Sequence, residues 1–92
     1  MSIGFIFSIP RMTQEQYDQI RQEVQPDNKL VSGMLSHVGG PSSDSGAWRV
    51  VEIWESQDAA TRFFDEKLGA ALKRANVEVQ PEIFQVYNSM GS

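Results

Sequence analysis

The first quarter of the chain carries an apolar run followed by a pattern with helical spacing. Residues 3–9 read Ile-Gly-Phe-Ile-Phe-Ser-Ile and stop at Pro10, which is typical of a buried strand. A helix is predicted over 13–25, because Thr13 is a good N-cap and Gln16 completes a capping box three residues later. One face of this helix is apolar and is formed by Tyr17, Ile20 and Val24.

The middle of the chain predicts two strands joined by a loop. Residues 30–38 and 47–54 are rich in apolar and β-branched side chains, and the segment 39–46, rich in glycine and serine, separates them. Strands on either side of such a loop pair antiparallel as a hairpin.

The last part of the chain predicts a longer helix over 57–75, capped by Ser56, and a final strand over 82–88. Gly69 is a poor helix former and is expected to divide this stretch into a helix and a shorter turn. The element order is therefore β-α-β-β-α-β, the ferredoxin-like α+β pattern. In that pattern a four-stranded antiparallel sheet carries both helices on one face.

Only one face of such a sheet can be covered by the two helices. The candidate residues of the other face are apolar, and a chain of 92 residues forms only a marginal core on its own. The sequence therefore predicts a homodimer in which two sheets pack against each other.

The alternation of side chains along the central hairpin brings candidate residues together. We expect Val38 to pair with Ala47, and in that register Met34 lies on the face opposite to His37. The face of His37 carries three residues with chemical potential, namely His37, Glu52 and Trp54. If this face lies under the helices, a largely apolar pocket forms there, bordered by Tyr17, Phe63 and Phe64.

Composition and charge exclude several classes of protein. The net charge is −4 and the basic residues are scattered, so nucleic acid and anionic membranes are not expected partners. No apolar run is long enough for a membrane helix, and one histidine without cysteine gives no metal-ligand pattern. The lack of cysteine fits a reducing cytoplasm, where we expect the protein. We expect one domain over 1–92, with 89–92 as a flexible tail.

His37 and Glu52 are the candidate catalytic residues. An imidazole titrates near neutral pH and suits proton transfer, but a histidine at a strand end also serves simply as a hydrogen-bonding group. A carboxylate in an apolar strand must be paired, neutral or near water, so Glu52 is a base, a partner of His37, or an exposed or dimer-paired group. The large aromatic residues pack the core or form a platform for a flat ligand, and they are Trp48, Trp54, Phe63 and Phe64.

Two segments of the chain together resemble a known family. Residues 48–56 read Trp-Arg-Val-Val-Glu-Ile-Trp-Glu-Ser, and residues 36–40 read Ser-His-Val-Gly-Gly. The first segment is followed by Ala59, Phe63 and Phe64. Over 30–72 the chain resembles the antibiotic biosynthesis monooxygenase-like group of the dimeric α/β-barrel superfamily. The resemblance implies a homodimer whose two sheets form a barrel, with a pocket between the sheet and the helices of each protomer.

The resemblance also implies a range of activities, because the superfamily includes cofactor-free quinone-forming oxygenases, haem-degrading enzymes and polyketide cyclases. The sequence departs from two of these patterns. Phe63 stands about where the monooxygenase pattern often has a histidine, and residues 3–9 lack the asparagine of the haem-degrading pattern. Neither haem nor a close copy of the oxygenase mechanism is therefore expected.

Three functions remain open from the sequence. The first is a cofactor-free enzyme, monooxygenase-like or cyclase-like, in which His37 and Glu52 move a proton on an aromatic or polyketide-like substrate. The second is a protein that binds a small apolar or aromatic molecule without chemistry, and the third is a dimerisation module. No cofactor and no metal are expected. The expected substrate-binding residues are Tyr17, Trp54, Phe63 and Phe64.

Overall fold

The computed structural model describes residues 2–43 and 46–90 and has the predicted β-α-β-β-α-β order. Its elements are β1 (Ile3–Pro10), α1 (Gln14–Val24), β2 (Met34–Pro41), β3 (Ala47–Trp54), α2 (Gln57–Phe63), a π-helical turn (Phe64–Leu68), α3 (Gly69–Arg74) and β4 (Glu82–Gln85). The strands form one antiparallel sheet in the order β2-β3-β1-β4, which confirms the ferredoxin-like α+β fold. Within the predicted loop and tail, residues 44, 45, 91 and 92 lie outside the described residues.

The core lies between the helices and one face of the sheet. Trp54 on β3 is only 1% exposed and is the largest fully buried side chain among the described residues. Burial of each such apolar side chain contributes about 1.5–3 kcal/mol to stability relative to leaving it exposed. Trp54 belongs to one core cluster, whose other members include Phe7, Ile9, Ile20, Val24, Met34, Val50, Phe63 and Leu72.

The start of α1 follows from its sequence. The Gln16 N–H donates to the Thr13 hydroxyl at 3.1 Å, and the Thr13 N–H donates to Gln16 Oε1 at 2.9 Å, which is the predicted capping box. The helix then buries Ile20 and Val24 against the sheet. Tyr17, at the start of the same face, is held over the strands.

The second strand begins and ends later than the sequence predicts. The prediction placed it over 30–38, whereas β2 runs over Met34–Pro41 and takes in the glycine pair assigned to the loop. Gly33 has a positive φ of 88°, a conformation that turns the chain just before the strand. Glycine has a low propensity for strands, but Gly39 and Gly40 are held in β2 because both pair with β3.

The register of the hairpin also differs from the prediction. Val38 pairs with Val51 rather than with Ala47, so β3 is displaced by four residues against β2. Because four is an even number, His37 keeps the predicted face and pairs directly with Glu52. Met34 is a second correction, since a bulge between it and Ser36 turns its side chain to the core, where it is 4% exposed.

The long predicted helix is divided, but by a π-helical turn ahead of Gly69 rather than by a break at that residue. Ser56 caps α2 as predicted, accepting from the Ala59 N–H at 3.2 Å. None of the five residues of the π turn is buried. The last strand is shorter than the predicted 82–88. It ends at Gln85 because its partner there, Ile3, is the first residue of β1. One further hydrogen bond beyond β4 joins the Val86 N–H to the Ser2 carbonyl.

Candidate functional site

Four side chains form one continuous chain of hydrogen bonds on the helix-covered face of the sheet. The Tyr17 hydroxyl lies 2.7 Å from His37 Nε2, and His37 Nδ1 lies 2.9 Å from Glu52 Oε2. The indole N–H of Trp54 donates to the other oxygen, Glu52 Oε1, at 3.0 Å. Residues far apart in the sequence, on α1, β2 and β3, are thus joined in one network through His37 and the Glu52 carboxylate.

The direction of these bonds follows from the chemistry of the groups. With Glu52 as a carboxylate, both of its oxygens act as acceptors, so Trp54 and His37 Nδ1 must each supply a hydrogen. A neutral imidazole protonated on Nδ1 has a free lone pair on Nε2, and that nitrogen accepts the Tyr17 O–H. The arrangement is that of a base whose orientation and tautomer are fixed by a carboxylate behind it.

The polar groups of this network need hydrogen-bond partners because they are shielded from water: the Glu52 side chain is only 7% exposed and that of His37 is 19% exposed. An unpaired buried carboxylate would be strongly unfavourable, but Glu52 accepts one bond at each oxygen. Burial raises the pKa of Tyr17, and the nearby charge of Glu52 raises it further, while Arg21 opposes the shift. The phenol therefore stays protonated at neutral pH and serves as a donor to His37.

A cavity of about 50 Å³, here called the His37 cavity, opens between α1 and the sheet beside this network. Apart from Tyr17, His37 and Glu52, its polar lining consists of Arg21 on α1 and Gln25, which follows the last residue of that helix. The remaining lining is apolar and includes Phe7, Ile9, Val24, Val50, Phe63 and Leu72. A mainly apolar cavity with a few convergent polar groups is the usual composition of a small-molecule site.

A second cavity of about 240 Å³, here called the Trp54 cavity, adjoins the first. The two cavities share five lining residues, namely Phe7, Glu52, Phe63, Leu68 and Val79. The Phe63 ring packs on Trp54 with ring centroids 5.5 Å apart. Toward the surface the Trp54 cavity is bordered by Phe64 and Ile83, which are 43% and 48% exposed.

The structure brings together most of the residues singled out by the sequence. His37, Glu52, Tyr17 and Trp54 belong to the hydrogen-bonded network. Phe63 lines both cavities, whereas Phe64 lies on the outer side of the Trp54 cavity and does not line the His37 cavity.

Two residues of the site were missed by sequence reasoning. Arg21 lies four residues after Tyr17 on α1, and this spacing would have placed both on one helix face. Gly39 lies directly under Tyr17, since a Cβ at this position would be 2.9 Å from the tyrosine hydroxyl oxygen. Its signal in the sequence was the glycine pair, which suggested only a loop.

The described part of the chain has neither a metal-ligand cluster nor a membrane-spanning helix. Within residues 2–43 and 46–90, no three histidine, cysteine or acidic residues are grouped so that they could hold a metal ion. Across this part of the chain, every helix is too short or too polar to span a bilayer.

Comparison with solved structures confirms the fold resemblance expected from the sequence. A candidate antibiotic biosynthesis monooxygenase from Chloroflexus aurantiacus J-10-fl is similar with a TM-score of 0.71 and 15% identity, covering 99% of this chain and 98% of that one. SnoaB, a cofactor-independent oxygenase from Streptomyces nogalater, gives a TM-score of 0.69 at 9% identity, covering 99% and 98% of the two chains.

A third similar structure is described as a dimeric ferredoxin-like protein of unknown function from Thermobifida fusca YX. Its TM-score is 0.67 at 16% identity, and the match covers 94% of this chain and 92% of that one. No model of a known protein family matches the sequence, and no curated protein matches it either. The similarity to antibiotic biosynthesis monooxygenase-like proteins is therefore one of fold over the whole chain.

Proposed function

We propose that the protein is a cofactor-free enzyme, oxygenase-like or cyclase-like, that removes a proton from an aromatic or polyketide-like molecule. The observation that carries the proposal is the chain of hydrogen bonds from Tyr17 through His37 to Glu52, beside a cavity whose other walls are mostly apolar. The similarity in fold to a cofactor-independent oxygenase supports it.

The geometry supports a proton relay through Tyr17. His37 Nε2 is already hydrogen-bonded to the Tyr17 hydroxyl, so an acidic hydrogen of the substrate passes to the phenol oxygen while the phenol hydrogen passes to His37. The imidazolium that forms is stabilised by Glu52 at Nδ1. Glu52 is in turn held by Trp54, which makes Trp54 a positioning residue in this scheme.

The two cavities suggest how a larger substrate is placed. The His37 cavity is small, while the Trp54 cavity is larger and lined by aromatic side chains. We place the acidic end of the substrate against Tyr17 and its rings in the Trp54 cavity, an arrangement that requires the Phe63 side chain to turn aside. Apolar walls exclude water and so keep the proton transfer within the relay.

In the oxygenase form of the proposal, loss of the proton gives a resonance-stabilised anion that reacts with O2. A CH2 group of the substrate becomes a carbonyl: one oxygen atom of O2 is retained and the other leaves as water with the two hydrogens. Carbon is oxidised by the four electrons that reduce O2. In the cyclase form, the same carbanion attacks a carbonyl carbon within the substrate and forms a carbon–carbon bond. The π electrons of that carbonyl move to its oxygen, and the alkoxide takes the proton back from the relay.

We further propose that the protein acts as a homodimer through the uncovered face of the sheet. The central rows of this face carry Val38, Val51 and Ile6 in register, and Val38 is 65% exposed in the single chain. Phe84 on β4 extends the patch and is 39% exposed. A contiguous apolar patch of this kind marks an interaction surface, and the similar Thermobifida fusca protein is dimeric.

The enzymatic proposal is tested with anthrone, a tricyclic compound with an acidic CH2 group, by following O2 uptake and quinone formation. The wild type is expected to consume one O2 per quinone formed, and His37→Ala to lose turnover by about a hundredfold or more. Glu52→Gln keeps the size of the side chain and tests the orientation of His37. Melting temperature and sedimentation confirm that the variants remain folded. Unchanged turnover in His37→Ala contradicts the proposed relay.

A non-catalytic role is the second candidate, because both ring nitrogens of His37 are already bonded to side chains of the protein itself. In that case the cavities bind an apolar or aromatic molecule without converting it. A ligand-dependent rise in melting temperature without any product by mass spectrometry favours this role. No shift and no product with a panel of hydroxyaromatic compounds contradicts both candidates.

A further inference from the structure

Arg21 is a cation at the wall of the His37 cavity, and none of the described carboxylates forms an ion pair with it. It lies one helical turn after Tyr17, is half-buried, and lines the cavity together with Tyr17 and His37. Its Nη1 donates to the Gln25 carbonyl at 3.2 Å. Across residues 2–43 and 46–90, no ion pair joins Arg21 to a carboxylate.

A second arginine on the helices, Arg74, does have an acidic partner. Arg74 on α3 is exposed, yet its guanidinium is paired with Glu23 through both Nε and Nη2. Arg21 lies closer to the cavity and is better shielded from water, so an unpaired charge is less favourable there. The position of Arg21 is therefore one at which an anionic partner from outside the chain is expected.

The charges of the site balance only when Arg21 is counted. With a neutral His37, the positive charge of Arg21 offsets that of the Glu52 carboxylate. When a proton passes from the substrate to His37, the imidazolium pairs with Glu52 and a substrate anion remains. In a mostly apolar cavity that anion needs a cation, and the charge of Arg21 already acts on the Tyr17 hydroxyl, where it offsets part of the rise in the Tyr17 pKa.

We propose that Arg21 binds the anionic oxygen of the substrate and that the site selects molecules with an ionisable hydroxyl, such as phenols and the enol forms of CH2 ketones like anthrone, whose anion carries its charge on oxygen. This inference rests on the proposed function and names its substrate class. The substrate O–H bond breaks with its electron pair left on oxygen, and the proton moves to Tyr17 as the Tyr17 proton moves to His37 Nε2. The resulting oxyanion is held by the N–H groups of Arg21 that do not contact Gln25.

The test uses 4-nitrophenol, whose ionisation changes its colour, and measures the pKa of the bound compound by absorbance. Arg21→Gln is expected to raise this pKa by about one unit, a tenfold change in the ionisation equilibrium, and to weaken binding of the ionised form about tenfold. Arg21→Lys keeps the charge but not the forked geometry and is expected to fall between the two. Arg62→Gln, which removes the same charge from the exposed surface of α2, is the matched control and should behave as the wild type.

A neutral probe separates loss of charge from loss of structure. 4-Nitroanisole cannot ionise, and it should bind to the wild type and Arg21→Gln equally. The inference is overturned if 4-nitrophenol does not bind, if its pKa is the same in Arg21→Gln as in the wild type, or if Arg62→Gln has the same effect. Because the readout is binding, it distinguishes this inference from the turnover test of the proposed function: a protein without turnover that shows the Arg21-dependent shift retains the anion site.

Discussion

Gly39 controls the position of the Tyr17 hydroxyl, since a Cβ at this residue would lie 2.9 Å from that oxygen. We expect Gly39→Ala to push the phenol away from His37 and to lower turnover by about tenfold to a hundredfold. The end of the tyrosine ring can move, so the melting temperature should change little. Gly40→Ala is the matched control, because nothing lies within 4 Å of a Cβ built there. Equal activity in the two variants contradicts this role.

The ionisation of Tyr17 links the site to stability at alkaline pH. Its pKa is raised in the folded protein, mainly by burial and then by Glu52, above the ordinary value of 10.0. The stabilisation is therefore complete below pH 10 and is lost as the pH rises through the folded-state pKa. Denaturant unfolding at several pH values should show the wild type losing stability relative to Tyr17→Phe in that range. Tyr87→Phe, on a fully exposed ring, is the control, and an equal effect there contradicts the prediction.

Much of the site was within reach of sequence reasoning, because strand alternation alone assigned His37, Glu52 and Trp54 to one face. The predicted register was wrong by four residues, but the face was still correct because side chains return to the same face every second residue. The Tyr17–His37 bond was not predictable, because it depends on how closely α1 approaches β2. That approach is set by tertiary packing over a residue without a side chain.

At the scale of elements, α1 and α3 are joined at the surface by Glu23 and Arg74. The hydrogen bond from Arg74 lowers the pKa of Glu23, which ordinarily is 4.5. The pair therefore stabilises the fold above that pH, and the contribution is lost as the pH falls through the lowered pKa. A double-mutant cycle of Glu23→Gln and Arg74→Gln should give a small coupling energy at neutral pH, weakened by salt and absent in strong acid. A coupling that persists in acid contradicts an ionic origin.

The elements also show where local propensity stops being a guide. The order of strands and helices followed from apolar patterning and capping residues, such as Thr13 and Ser56. The ends of β2 did not, because pairing with β3 carries the strand through two glycines. The π-helical turn was not predicted either. Its Leu68 lines both cavities, and such turns frequently occur at functional sites.

At the scale of the whole molecule, the proposed dimer forms through the uncovered face of the sheet. We expect the wild type to sediment at about twice the chain mass of 10.3 kDa. Val38→Glu should shift it toward the monomer, because the charge would be buried between the two sheets. Val38 is 65% exposed in the single chain, so the substitution itself should leave the fold intact. Leu30→Glu, at an exposed leucine outside the sheet, is the control.

A monomeric wild type at all concentrations, or an equal effect of Leu30→Glu, contradicts the dimer through this face. The homodimer could be predicted from the sequence because two helices cover only one face of the sheet. The candidate residues of the other face are apolar, so this face needs a partner. The substrate could not be predicted from the sequence, because its identity depends on the shapes of two cavities and the periodicity of the sequence does not determine those shapes.

The proposed chemistry depends on Glu52 and Tyr17, which fix His37 as a base with its hydrogen on Nδ1. The chain contains a single histidine, so the imidazole signals of a ¹⁵N nuclear magnetic resonance spectrum belong to His37 alone. In the neutral ring, we expect a protonated Nδ1 and an unprotonated, hydrogen-bonded Nε2 whose signal moves in Tyr17→Phe. A ring protonated on Nε2, or an average of both tautomers that is unchanged in Tyr17→Phe, would contradict this expectation.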